Sequence, residues 1–294
     1  MGWGPNVGWR STAALALSGV FGSSSALTQE LVESDTVLRA PLALSRRIGF
    51  VQLRGGSGAS STAAYVASLL AHRRSGMVLG VNVSAGERQL LSQTGLNGTA
   101  RPRDAERRER ARTAKDARAG LPLTASGLYG LDLTRDGVAA PAGDWFQAVT
   151  PIARFYDVVC TDWGVRQPQL DLRQVAAASH VVCLVARADR HAAEEAAAVA
   201  PALADTENRP RVVLALVDVG HTGTRTARLL AAQLEVPVLS LPYEAQQSGV
   251  PPVTSRRLPA RTRLAHTRLA TVLMAEATRT NLDRRPAPAG GGGR

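Results

Sequence analysis

The chain has 294 residues, enough for one large domain or two small ones, and its 45% hydrophobic content excludes wholesale disorder. Aromatic residues make up only 4%, so any core must be built from Ala, Val and Leu. The formal net charge of +11 comes nearly all from arginine, Lys115 being the only lysine; such a surface suits nucleic acid or anionic lipid, but net charge does not bear on fold.

Residues 1–45 form an N-terminal extension with two short helices around "GVFGSSSA". Arg10 and the following "STAALALSGVFGSSSA" outline a signal peptide, but the apolar part is short and broken by Ser18 and Gly19, so an amphipathic helix is the preferred reading. Strands then alternate with helices. "IGFVQL" (48–53) leads through a glycine loop into "STAAYVASLLAHRR", "MVLGVNV" (77–83) precedes "ERQLLSQTGL", and "GLYGLDL" (127–133) precedes "DWFQAVTPIARF". "DVVCTD" (157–162) follows, then "HVVCLVAR" (180–187) with "RHAAEEAAAVAPALA", "RVVLALVDV" (211–219) with "TRTARLLAAQLE", and "PVLSLPY" (237–243).

Val-rich runs of this length, separated by helices, indicate a parallel sheet buried on both faces. The expected fold is therefore α/β and doubly wound, mostly parallel, with "IGFVQL" and "DVVCTD" near its centre. One domain spans 46–283. Its mixed-charge segment 99–120 reads as a solvated helix or mobile insertion, and 284–294, "RRPAPAGGGGR", as a disordered tail. Cys160 and Cys183 sit inside apolar runs and read as buried thiols, which fits a reducing, cytoplasmic compartment. No run reaches the roughly 18 apolar residues of a membrane span.

The stretch "RGGSGASS" (54–61) carries the chemistry. A strand, a glycine turn and a helix N-terminus make an anion site: backbone N–H groups converge on the phosphate, and the helix dipole favours its charge. Gly55, Gly56 and Gly58 permit the turn. A complete phosphate loop adds a lysine for the β/γ-phosphates and a hydroxyl for magnesium. Here those positions hold Ala59 and Ser60.

These residues resemble the MinD/ParA-like P-loop ATPases, whose deviant Walker A loop reads K-G-G-x-G-K-T-T; "RGGSGASS" aligns with it without a gap. "FYDVVCTDWG" (155–164) is similar to the family's strand ending in the Walker B/switch II D-x-G, "PVLSLPYEAQ" (237–246) to its P-V-x-x-I-P-Y-D segment, and "LPARTRLAHTRLATVL" (258–273) to its closing helix. "GWR" (8–10) and "VLRAPLALSRRIGFVQLRGG" (37–56) look most like the actinobacterial MinD-like proteins of type VII (ESX-type) secretion loci. The resemblance implies a SIMIBI-type P-loop fold, ATP and Mg2+ as cofactors, a homodimer, and protein partners in a secretion machine. It assigns nucleotide binding to Arg54, Gly55, Gly56, Ser57, Gly58, Ala59, Ser60 and Ser61, and magnesium to Ser60 and Asp162, the latter as the switch II/Walker B acid.

The departures cluster at the chemistry. The signature lysine is Arg54, the Walker lysine is Ala59, and the first acidic position after the second strand is Asn82. The asparagine after the sixth strand is replaced around Val217 and Asp218. Loss of a lysine–phosphate hydrogen bond, worth about 1.5–3 kcal/mol, weakens binding about ten- to hundred-fold, and turnover suffers more. Ala59 is read as lying at the mouth of the loop, outside the core.

Trp163 reads as packing, and His180, His191, His221 and His266 as structural or surface residues without metal spacing. The last helix, with Arg261, Arg263, Arg268 and Arg279 beside Leu264, Leu269, Leu273 and Met274, docks its apolar stripe on the sheet; the other use of such a helix is on an anionic membrane surface, which would place the protein at the inner face of the membrane. Three function classes fit: a degenerate ATPase acting as a regulator or scaffold, a working ATPase with Arg54 replacing the loop lysine, and a ParA-like DNA-associated module.

Overall fold

Each Val- or Leu-rich run forms a strand of a single seven-stranded sheet. The computed structural model describes residues 24–96, 102–168, 171–220, 223–245 and 258–279. In chain order the elements are α1 (Ser24–Arg39), β1 (Arg46–Gln52), α2 (Ala59–Arg73), β2 (Val78–Asn82), the single turn α3 (Leu90–Gln93), α4 (Pro102–Glu109) and α5 (Ala114–Ala117). Then come β3 (Leu128–Asp132), α6 (Ala142–Ala153), β4 (Val158–Val165), α7 (Leu172–Ala178), β5 (Val181–Arg187), α8 (Arg190–Ala204), β6 (Arg211–Asp218), α9 (Gly223–Gln233), β7 (Val238–Pro242) and α10 (Ala260–Arg279).

The strand order is β3-β2-β4-β1-β5-β6-β7 and every pairing is parallel. β1 and β4 take central positions, and each is buried on both faces along nearly its whole length. From β1 the chain goes to β2 on one side of the sheet, while its neighbour β5 continues to β6 on the other. The carboxyl ends of β1 and β5 therefore make a switch point, where crevices in such sheets receive ligands.

Alternating side chains feed two cores. Ile48, Phe50, Cys160 and Cys183 meet Leu70 of α2 and Leu273 of α10 on one face. Trp163, Val182 and Leu184 meet Trp145 and Ile152 of α6, Val175 of α7 and Ala196 of α8 on the other. Both cysteines are free and buried, and burial pushes the Cys160 thiol up to about 12 and that of Cys183 upward as well, so neither is a nucleophile at neutral pH.

Three segments depart from the sequence reading. The run "ERQLLSQTGL" gives only the single turn α3, because Gly95 takes a left-handed backbone (φ 76°) just after it. The charged segment is helical and mostly exposed over its described part, yet it is docked: Ala111 and Ala117, with Leu121 just after it, enter the core, and Tyr156 Oη donates to the Ala117 carbonyl at 3.1 Å. Its small apolar residues make the contact while most of its charges stay outside.

The segment before β1 is not separate from the domain over its described part. Helix α1 packs along α10 and α2, Leu38 is 1% exposed, Glu30 pairs with Arg268, and Arg74 donates to the carbonyls of Leu38 (2.7 Å) and Ala40 (2.9 Å). Residues 1–23, with the signal-peptide-like stretch, and the tail 284–294 lie outside the described residues. The apolar stripe of α10 is docked, with Leu269, Leu273 and Met274 fully buried against the sheet and α2. Among the described residues no helix is long and apolar enough to cross a membrane.

Truncating Leu38 to alanine should cost about 2–5 kcal/mol in urea unfolding, as for other fully buried leucines. A cost near zero would show that α1 is an appendage.

Candidate functional site

At the switch point the loop after β1 turns through Gly56 (φ 79°) and Gly58 (φ 85°), both left-handed, which only glycine adopts without strain. Ser57 is buried and its hydroxyl donates to the Arg54 carbonyl at 3.0 Å, closing the turn. Gly58 is the N-cap of α2, and no side chain caps that helix. The first N–H groups of α2 thus point at the space beyond the loop, with the positive end of the helix dipole behind them.

That space is a cleft of about 350 Å³, lined on one side by Gln52, Gly56 and residues 58–62, and on the other by Arg88, Gln93, Val217, Leu241, Pro242, Tyr243, Glu244 and His266. Of the eight loop residues singled out in sequence, Gly56, Gly58, Ala59, Ser60 and Ser61 line it, whereas Arg54, Gly55 and Ser57 do not. Arg54 is directed to α8, where its Nε donates to Glu195 Oε2 at 2.7 Å, and this hydrogen bond raises its already high pKa. Ala59 corrects the sequence reading. It reaches the cleft, yet it is 1% exposed and belongs to the core around Leu70 and Phe50. Val217 closes over the loop; a Cβ on Gly58 would lie 3.6 Å from it.

Asp162 ends the regular part of β4 and is wholly buried. Its Oδ2 accepts the Leu90 N–H at 3.1 Å, its Oδ1 accepts the Gly164 N–H at 3.0 Å, and the Ser60 hydroxyl also bonds to it. Burial pushes its carboxyl up to about 6, against the opposing effect of these donors and of Arg166. Register slips by one residue between Phe50 and Val51, so Trp163 bulges out of the ladder; it is fully buried 6.0 Å from Trp145, a packing residue as its sequence context suggests.

Arg166 then folds back. Its guanidinium is almost completely buried and donates to the carbonyls of Trp163 (3.0 Å), Val83 (3.3 Å) and Ala140 (3.0 Å). Asn82, in register between Asp162 and Asp132, donates its amide to Asp132 Oδ1 at 2.9 Å and accepts the Ser84 N–H at 3.3 Å. An aspartate there would face Asp132 with like charge; the asparagine supplies a donor instead.

Among the cleft residues that escaped sequence reasoning as site residues are Gln52, Arg88, Gln93 and His266. Gln52 is 9% exposed and its Oε1 is buried without a partner. Arg88 falls in "SAGERQ", where the resemblance leads one to look for acids. His266 is indeed structural, its Nδ1 2.9 Å from the Thr262 carbonyl and its ring 4.4 Å from that of Tyr65; burial lowers its pKa. His180 caps the start of β1, where its Nδ1 accepts the Arg47 N–H at 3.0 Å; His221 lies outside the described residues.

No family model and no curated protein matches the sequence. Solved structures do match in fold. A ParA family ATPase from Chlorobium tepidum is 18% identical with a TM-score of 0.59, covering 76% of this chain and 98% of its own. The septum site-determining protein MinD of Pyrococcus horikoshii, complexed with Mg-ADP, is 17% identical with a TM-score of 0.59, over 77% of this chain and 95% of its own. A chain of the MinC:MinD cell division protein complex of Aquifex aeolicus is 17% identical with a TM-score of 0.58, over 78% of this chain and 96% of its own. At these identities the likeness shows the fold, which is that of the MinD/ParA P-loop NTPases.

The raised pKa of Asp162 has a stability signature. Between about pH 4 and pH 6 the folded protein keeps a proton that the unfolded chain, with a carboxyl near 3.9, has lost. This group's contribution therefore falls as pH rises through that window, by on the order of 2–3 kcal/mol, and is flat above it. Urea unfolding of the parent and of Asp162→Asn should show the variant gaining relative stability from pH 4 to pH 7; a pH-independent difference would contradict the burial of a proton-binding carboxylate.

Proposed function

We propose that the protein is a MinD/ParA-like P-loop protein that keeps a phosphate-binding cleft, has lost most or all ATP turnover, and works as a regulatory or scaffolding component of a type VII (ESX-type) secretion machine. The likeness of "GWR" (8–10) and "VLRAPLALSRRIGFVQLRGG" (37–56) to the MinD-like proteins of such loci supports the secretion assignment. The observation that carries the loss of turnover is the pairing of Ala59 at the loop-lysine position with an Arg54 engaged by Glu195. Phosphoryl transfer depends on positioning and charge stabilisation, and neither residue brings a cation to the transferred group. Asn82 and the tethered Arg166 add that the segments flanking Asp162 are tied to backbone and amide partners.

A working ATPase using Arg54 is the weaker reading, because that side chain would have to leave Glu195 and cross the loop. Binding of protein partners, and pairing of two copies, suits a chain that keeps the architecture without the chemistry; the MinC:MinD cell division protein complex of Aquifex aeolicus offers the comparison.

Purified protein should hydrolyse ATP at background rate, and Arg54→Ala should not change that rate. Robust magnesium-dependent hydrolysis abolished by Arg54→Ala would establish the working-ATPase reading instead. Ala59→Lys should tighten ATP binding about ten- to hundred-fold, because the glycine cradle is already formed. The same substitution should cost about 1–3 kcal/mol of stability, since the alanine methyl is packed in the core. Calorimetric titration and urea unfolding of the one variant check both; unchanged affinity with an intact fold would mean the loop no longer fits phosphate.

A further inference from the structure

A polyphosphate entering the cleft brings several negative charges, and the question is what offsets them. In a magnesium-dependent site a carboxylate and a hydroxyl share the ion, and magnesium demands near-octahedral oxygens at about 2.0–2.1 Å while keeping several of its waters. Ser60 and Asp162 are adjacent as such a pair would be, but the carboxylate is committed elsewhere. Its two oxygens hold the N–H groups of Gly164 and Leu90, the Ser60 hydroxyl bonds to it as well, and none of its surface is exposed.

Freeing it requires lifting α3, which is anchored by Leu90 and Leu91, both buried in the core. Asn82, an amide, supplies no second carboxylate, and that amide already bridges Asp132 and Ser84. The residues present do not fit magnesium.

They do fit a phosphate. The N-terminus of α2 opens uncapped into the cleft, and Arg88 lines the opposite wall. A second feature points to a ligand independently of the helix: Gln52, more than nine-tenths buried, lines the same cleft with its Oε1 lacking any hydrogen-bond partner. Such a buried acceptor calls for a donor, and a ligand in the cleft is one source of it. The Glu244 carboxylate, which would repel an anion, is occupied by the Thr262 hydroxyl at 2.6 Å and by Arg261 at 3.3 Å. Val217, Pro242 and Tyr243 give the remaining wall an apolar character suited to a base, and the volume of about 350 Å³ falls in the range of single small-molecule sites.

We infer that this cleft binds a ligand of nucleoside-diphosphate class without a divalent cation, the α2 N-terminus and Arg88 offsetting the phosphate charge and the Gln52 amide bonding to a donor on the ligand. The inference rests on the phosphate-binding reading above and adds to it the absence of a metal requirement. Calorimetric titration of the full-length protein with ADP, once in magnesium and once in EDTA, tests it. The two affinities should agree within about two-fold, and Arg88→Ala should weaken both by about ten-fold, the worth of one charge-assisted contact. Binding at least ten-fold tighter in magnesium overturns the inference and leaves the phosphate-binding reading standing. No ADP binding in either buffer, with the fold intact by circular dichroism, overturns both. An Arg88→Ala variant that keeps its fold by circular dichroism and binds as the parent does overturns the assignment of phosphate charge to Arg88.

Discussion

The buried carboxylate of Asp162 ties the carboxyl edge of the sheet together. It gathers the start of α2 through Ser60, the α3 turn through the Leu90 N–H, and the end of its own strand through the Gly164 N–H. A charge taken fully out of water is costly unless it is satisfied. Here the satisfaction comes from backbone and hydroxyl donors of three separate segments, so each segment is held where the carboxylate needs it. Gly164 can approach only because it lacks a side chain: its φ is 65°, and a Cβ would meet the Ser84 hydroxyl at 2.3 Å.

That constraint shapes what the cleft can do. A switch that responds to a transferred phosphate needs two arrangements of comparable free energy. The segment after Asp162 instead continues as strand to Val165, and Arg166 fastens it to carbonyls of two other segments. The glycine loop and the helix end beyond it take no part in this fastening. Under the proposed function, binding and turnover part company: the first rests on the loop after β1, the second on groups that are substituted or already engaged.

The sheet was legible in the sequence because parallel strands buried on both faces leave continuous apolar runs, and all seven were visible as such. The loop was legible through its glycines, two of which, Gly56 and Gly58, take the positive φ angles that a tight turn requires. What stayed hidden was burial and direction. Nothing in "SGAS" tells that Ala59 is packed into the core while Ser60 turns toward Asp162. Gln52 and Arg88 are unremarkable in a sequence, since their meaning comes from converging on one cleft across the fold. The docking of α1 was missed because its polar face carries the anchors, Glu30 and Asp35, and ion pairs to distant arginines leave no periodic signal. The charged insertion misled for the related reason that a few alanines make its contact.

Hydrogen exchange at the Leu90 amide is the most direct test, because that N–H occupies the carboxylate a magnesium ion would need. The account predicts that this amide exchanges slowly and that its protection is unchanged by adding magnesium with ADP or ATP. Loss of its protection on adding magnesium and nucleotide would mean that Asp162 turns from the backbone to a metal, and the site would then be a working magnesium centre.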